Sequence, residues 1–270
     1  MKAIISHDID HLTVWEHYKD LIIPKFIVRA KIELLAGKIS FSEYFSRLGD
    51  LFKNKWQNID ELILFNKEHQ VQPTFFVGVN KGLGLVYSID AAQFWVNRIR
   101  HQKCDIGLHG IAFSSLTDIM KEHDCFMKIA GTKEFGIRMH YLRMNEHTIN
   151  YLSQTGYLFD ATQHEFKNPY RNGRMWEFPF QVMDGWIIDK NKRWQVQTLK
   201  QAIENTKRLI DKAQEMELKY FSIVFHDRYF NKSFRTWRDW YIWLIGYLKD
   251  NDIRFTSYSA AISELSNLNK

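Results

Sequence analysis

Residues 7–11 read HDIDH, directly after the apolar run MKAIIS. Successive residues of a strand point to opposite faces, so Asp8 and Asp10, two apart, share one. Two carboxylates held side by side repel unless a cation or a shared proton stands between them. The pattern recurs along the chain. DIGLHG carries His109, GIRMHYLR carries Arg138, His140 and Tyr141, YLFDAT carries Asp160, and FSIVFHDR carries His226 and Asp227. In each, an apolar run gives way to His, Asp or Arg at its C-terminal end. Imidazoles and carboxylates brought together in this way suit a divalent cation and proton transfer.

Those residues need a scaffold in which distant strand ends meet. Short runs rich in β-branched and aromatic residues predict strands over 2–6, 73–79, 104–108, 135–139, 157–159, 176–180, 220–225 and 254–257. Helical patterns fill several of the gaps. NIDELILFNKEH turns Ile59, Leu62, Ile63 and Phe65 toward a core, with Asn58 as the N-cap. The alternation favours a mainly parallel sheet, open or closed into a barrel, and in such folds the C-terminal strand ends assemble the site. No Pro/Gly-rich linker divides the chain, so 1–270 reads as one α/β domain. Residues 12–58 read as a helical insertion in the first crossover, a lid over one end of the barrel.

Hydrophobic residues make up 45% and charged residues 25% of the 270, the balance of a globular chain. The net charge of +6 suits an anionic substrate or an anionic membrane face, but no Lys/Arg block marks a nucleic-acid tail. Cys104 and Cys125 lie in no CxxC, which excludes a thiolate zinc motif and points to a reducing compartment. No segment is long and apolar enough to span a bilayer, and the N-terminus enters a strand without an export signal, so a cytoplasmic protein is expected. The basic stretch DLIIPKFIVRAKIELLAGK (20–38) reads as a helix packed on the body, with a peripheral membrane contact as the alternative. Nothing in the sequence specifies an oligomer.

Taken in order, these segments resemble the polysaccharide deacetylases, also called the NodB-homology or carbohydrate esterase 4 group, from residue 6 to about 257. The resemblance implies a distorted (β/α) barrel and a divalent metal, often zinc, used to hydrolyse N-acetyl groups on sugars. SHDID is similar to the first motif in its D-x-D form, implying Asp8 as general base and Asp10 as metal ligand. PTFFVG resembles the second strand, and DIGLHG the start of the histidine motif, implying His109 as a ligand. RMHY is similar to an Arg-x-Pro-Tyr segment, implying that Arg138 pairs with the catalytic aspartate and that the Tyr141 backbone N–H stabilises the oxyanion. IVFHD resembles the final motif, implying His226 as general acid. Amide hydrolysis calls for those types: a metal to polarise the carbonyl, a carboxylate to take a water proton, an acid for the departing amine, and a donor for the oxyanion.

One position departs from the family pattern. Phe113 stands four residues after His109, where a second metal-binding histidine is usual. Catalytic zinc sites ordinarily have three protein ligands. His140, which replaces the proline, is the candidate third ligand or a histidine lining the cleft, with His11 and His7 as alternatives. Asp160, Glu177 and Asp184 are candidates to tune His226 or to contact sugar hydroxyls, and Asp227 to orient it; each also reads as structural. Trp176 and Trp186, with Tyr141, offer aromatic faces to a pyranose. Trp237, Trp240, Tyr241, Trp243 and Tyr247 recur at helical spacing and read as core.

The expected activity is metal-dependent removal of an N-acetyl group from an amino sugar of a glycan or of a nucleotide- or lipid-linked precursor. The missing histidine keeps open a second reading, a catalytically silent glycan-binding relative. A sugar-nucleotide D-x-D site would give no work to His109 or His226 and lacks a Gly-rich loop.

Overall fold

The computed structural model describes residues 1–268. Its strands are β1 (Lys2–Ile9), β2 (Thr74–Val77), β3 (Asp105–Gly110), β4 (Gly136–Met139), β5 (Phe159–Asp160), β6 (Tyr170–Asn172), β7 (Met175–Glu177), β8 (Val182–Met183), β9 (Tyr220–Val224) and β10 (Arg254–Thr256). They form a sheet in the order β6-β7-β5-β4-β3-β2-β1-β9-β8, with β10 on β1. All pairings are parallel except β6 with β7. β9 lies along one edge of β1; β10 and β2 share the other, pairing with its first and second halves. The sheet curls into a half-barrel of the deacetylase type. A bridge between His164 and Phe180 draws its two ends together.

The helices are α1 (Ile22–Leu35), α2 (Phe41–Asp50), α3 (Ile59–Glu68), α4 (Ile89–His101), α5 (Leu116–Ala130), α6 (Thr148–Thr155), α7 (Asp184–Ile188), α8 (Leu199–Glu215), α9 (Arg235–Asp250) and α10 (Tyr258–Leu268). Their starts follow local chemistry: Ser88, Ser115 and Thr198 each accept a backbone N–H at the N-terminus of α4, α5 and α8. α1 and α2 fill the connection from β1 toward α3.

Side-chain parity separates two cores. Ala3, Ile5, Phe75, Val77, Leu108, Ile137, Phe221 and Ile223 join the large cluster between sheet and helices. Ile4, Phe76, Phe159, Trp176, Phe178 and Tyr220 point the other way and meet Tyr258, Ala261 and Leu265 of α10 inside the curl. The concave face therefore continues upward from Ile4 through Ser6 to Asp8, and from Phe76 and Gly107 to His109. Glycine is required where the wall is tightest: a Cβ on Gly107 would lie 2.5 Å from the Phe76 ring, and one on Gly136 2.4 Å from Phe159.

Several sequence expectations shift. Asn58 occupies the N-cap position of α3, yet its side chain makes no cap bond and instead donates to the carbonyls of Asp227 and Arg228. The expected strand over 176–180 stops at Glu177, because Pro179 has no N–H for a ladder. β6 and β8, three and two residues long, are too short to leave a periodic signal.

Candidate active site

Asp10 sits one residue past β1, and its Oδ1 is 3.2 Å from His109 Nε2 and 3.3 Å from His140 Nδ1. The two imidazole nitrogens are 3.0 Å apart. Backbone carbonyls fix both rings. His109 Nδ1 donates to the Arg138 carbonyl at 3.1 Å, and His140 Nε2 to the Leu83 carbonyl at 3.2 Å. A carbonyl accepts only, so in the neutral rings the lone pairs fall on His109 Nε2 and His140 Nδ1, both facing Asp10 Oδ1. That oxygen is buried without a hydrogen-bond partner. Three lone pairs converging on one point require a cation there, either a proton or a metal ion. The protein's own charges say the same: burial alone would lower the His140 pKa, but Asp10 raises it above its ordinary value. Burial would raise the Asp10 carboxyl, and the facing His140, His109 and His226 hold it well below the usual range. Asp10, His109 and His140 are thus a donor set that fits a divalent metal, with ligand atoms all within 4.8 Å of one another.

Asp8 lies one residue pair deeper, buried on the same concave face. Arg138, itself fully buried, donates from Nη1 to Asp8 Oδ1 at 2.8 Å and to Ser6 Oγ at 2.9 Å. Its Nε reaches the Ala161 carbonyl and its Nη2 the Tyr258 hydroxyl. Burial pushes the Asp8 carboxyl up, but Arg138, then His109 and His226, bring it below its ordinary value, so the group stays ionised.

His226, just past β9, completes the ring of side chains. Its Nδ1 donates to Asp184 Oδ1 at 2.8 Å, its backbone N–H to Asp184 Oδ2 at 2.8 Å, and its Nε2 stands 3.8 Å from Asp10 Oδ2. Burial would lower this imidazole; the fully buried Asp184 outweighs it, with Asp10 and Asp8 adding, and holds the pKa well above its ordinary value. A proton on Nε2 therefore faces the cleft. Tyr141 follows His140 directly, with left-handed backbone (φ 55°) repeated at Leu142 (φ 54°). Its ring is 68% exposed at the rim.

Other candidates fall elsewhere. His7 points to the outer face, bonded to the Phe225 carbonyl and Asn66, and burial takes its pKa down to about 4. His11 turns its ring to His17 and Trp56, with His11 Nδ1 and His17 Nε2 3.0 Å apart. Phe113 has a packing role, under the guanidinium of Arg143. Asp227 does not orient His226; it accepts from the Asn58 backbone N–H. Asp160 and Glu177 are in-register neighbours on the outer face, on the opposite side of the sheet from His226, and burial raises both carboxyls. Trp176 cannot stack on a sugar: it is 4% exposed, packed with Phe178 deep in the inner core. Trp186 is half-buried against His164 and Phe180, two residues from Asp184.

Asp184, one of three carboxylates the sequence offered to tune His226, is the one that bonds to it; sequence reading missed the Leu83 carbonyl behind His140, and Glu122. The Glu122 carboxylate accepts from the backbone N–H groups of Ile111 and Ala112 and so braces the loop after His109. Asp184 opens the short helix α7, and nothing local in the sequence marks the other two.

No family model matches this sequence, and no curated protein matches it. Solved structures do match in shape. A Mycobacterium smegmatis protein described as a polysaccharide deacetylase aligns with a TM-score of 0.66 at 15% identity, covering 99% of this chain and 91% of that one. A Pseudomonas aeruginosa PAO1 protein of the same description gives 0.59 at 12% identity, over 97% and 89% of the two chains. Puue allantoinase gives 0.60 at 12% identity, over 97% and 88%. At these identities the likeness is one of fold: the chain has the curled (β/α) barrel of the polysaccharide deacetylases.

Proposed function

We propose that the protein is a divergent polysaccharide deacetylase, a metal-dependent hydrolase that removes an N-acetyl group from an amino sugar. The observation that carries the reading is the convergence of Asp10, His109 and His140 on one point at a rim shared with an ionised carboxylate and a protonated imidazole. In this reading His140 takes the place of the histidine that Phe113 replaces. A divalent metal, zinc by the nature of the ligands, would polarise the amide carbonyl and acidify bound water.

The chain's own groups then divide the work. Asp8, held ionised and aimed by Arg138, accepts the proton of the attacking water. His226, its Nδ1 anchored on Asp184, delivers a proton from Nε2 to the departing amine. The Tyr141 amide is the donor for the developing oxyanion, in a turn whose left-handed backbone fixes its direction. The fold likeness to structures described as polysaccharide deacetylases supports a carbohydrate substrate.

Acetate release from N-acetylhexosamine oligomers, measured before and after chelation and re-addition of zinc, tests the proposal. Turnover that chelator abolishes, zinc restores and Asp8→Asn removes is the expected outcome. Saccharide binding with no turnover under any cation would assign the protein to the silent binders instead.

A further inference from the structure

Helix α2 is built inside out. Its inward side chains are Glu43, Arg47 and Asp50, at 8%, 0% and 4% exposure. They are tied down by polar bonds: Arg47 to the Ser233 carbonyl at 2.7 Å and to Glu33, and Asp50 to the Ser233 hydroxyl at 2.5 Å. Its outward side chains are Phe41 and Phe45 beside Ser42 and Ser46, followed by Phe52 just past its end; the three phenylalanines are 71%, 65% and 87% exposed. A helix on a water-facing surface has the reverse arrangement. At ~200 Å² per ring, the three phenylalanines present ~450 Å² of apolar surface. That equals the largest patch of an ordinary monomer, ~300–600 Å², from three residues alone. The neighbouring α1 adds Val28 and Leu35, 56% and 77% exposed.

The unpaired charge of this segment is basic. Within residues 12–58, Lys19, Lys25 and Lys31 are exposed with no ion pair among the described residues, while the exposed Lys53 and Lys55 pair with Asp50 and Glu61. The carboxylates of the same segment are withdrawn: Glu33, Glu43 and Asp50 are buried, and Glu16 and Asp20 half-buried. Exposed phenylalanines among lysines complement an anionic lipid surface, with rings in the acyl boundary and ammonium groups at the headgroups. A second copy of the chain docked face to face would set these lysines against each other. No helix among the described residues is long and apolar enough to cross a membrane, so the contact is interfacial.

We propose that α2 and the exposed face of α1 form a foot that seats this protein on an anionic membrane surface. The foot is fixed to the rim of the cleft: Arg29 of α1 donates to the Tyr229 hydroxyl at 2.9 Å, three residues past His226. The membrane contact stands independently of the hydrolase reading.

Co-sedimentation of the full chain with vesicles tests it, using phosphatidylcholine alone and phosphatidylcholine with an equal part of phosphatidylglycerol. The expected result is pelleting with the anionic vesicles only, weakened by salt. The triple variant Phe41→Ser, Phe45→Ser, Phe52→Ser retains the native circular dichroism and loses at least about tenfold in partitioning. Lys25→Glu with Lys31→Glu, both on the exposed face, gives the same loss and serves if the triple variant fails to fold. Pelleting unchanged by either set, or absent in the native chain, overturns the proposal. A native dimer in light scattering that the triple variant dissociates overturns it too, assigning the face to a second copy.

Discussion

Replacing Arg138 by Met keeps the bulk of the side chain over the Phe76 ring, 4.4 Å from the guanidinium carbon, and removes its charge. The structure sets the consequence. Arg138 is fully buried, and Asp8, 3% exposed, has it as cationic partner at 2.8 Å. Removing one member of such a pair strands the other and costs roughly 3–5 kcal/mol. Set against a folding stability of about 5–15 kcal/mol, that loss is large. Asp8→Asn strands Arg138 in turn and is costly for the same reason, softened by the Ser6, Ala161 and Tyr258 oxygens that Arg138 keeps. The double variant leaves no uncompensated charge, so its loss falls short of the sum of the singles by at least about 2 kcal/mol. Urea unfolding followed by far-ultraviolet circular dichroism, with unchanged m values, measures all three. A loss below about 1 kcal/mol for Arg138→Met, or strict additivity in the double variant, would refute the pairing.

Two further predictions concern groups behind the site. Asp184→Asn removes the charge that holds the His226 pKa up against burial, so the imidazole loses its proton at lower pH. The alkaline limb of kcat moves toward acid, kcat falls by about 100-fold or more and KM changes little; an unshifted profile would show that Asp184 has no hold on the acid. Burial raises the Glu122 pKa to about 7, against two backbone N–H bonds that lower it. The folded state thus binds this proton more tightly than the unfolded one, and stability declines as pH rises from about 4.5 to 7, by roughly 3 kcal/mol in total. Glu122→Gln should flatten that slope in pH-dependent urea melts; an identical slope in the variant would place the proton elsewhere.

Most of the rim was legible because its residues lie at or just past the C-terminal ends of apolar strands. Asp10, His109, His140 and His226 come from the C-terminal ends of β1, β3, β4 and β9, which meet only because these strands run parallel in one sheet. His140, left open among three histidines by its spacing, is singled out by parity and by the Leu83 carbonyl, since His7 falls on the outer face. Asp184 was indistinct because β8 is two residues long, so its position beside β9 has no periodic trace. Trp176 misled for a different reason: it faces inward as a cleft residue would, but in register with Phe159, below the rim. The inversion of α2 was equally hidden. A two-sided pattern of phenylalanine against Glu, Arg and Asp gives an amphipathic helix without saying which side is buried. The buried Glu33 and the Ser233 backbone that draw the polar side inward lie outside the helix.

Zinc binding with X-ray absorption at the metal edge addresses the donor set itself. The protein treated with chelator and reloaded should hold one zinc per chain, with two imidazole nitrogens and carboxylate oxygen in its coordination shell. His140→Ala should drop one imidazole from that shell and weaken binding by about 100-fold or more. A zinc shell with two imidazoles that survives His140→Ala, or no stoichiometric zinc in the native chain, would contradict the account.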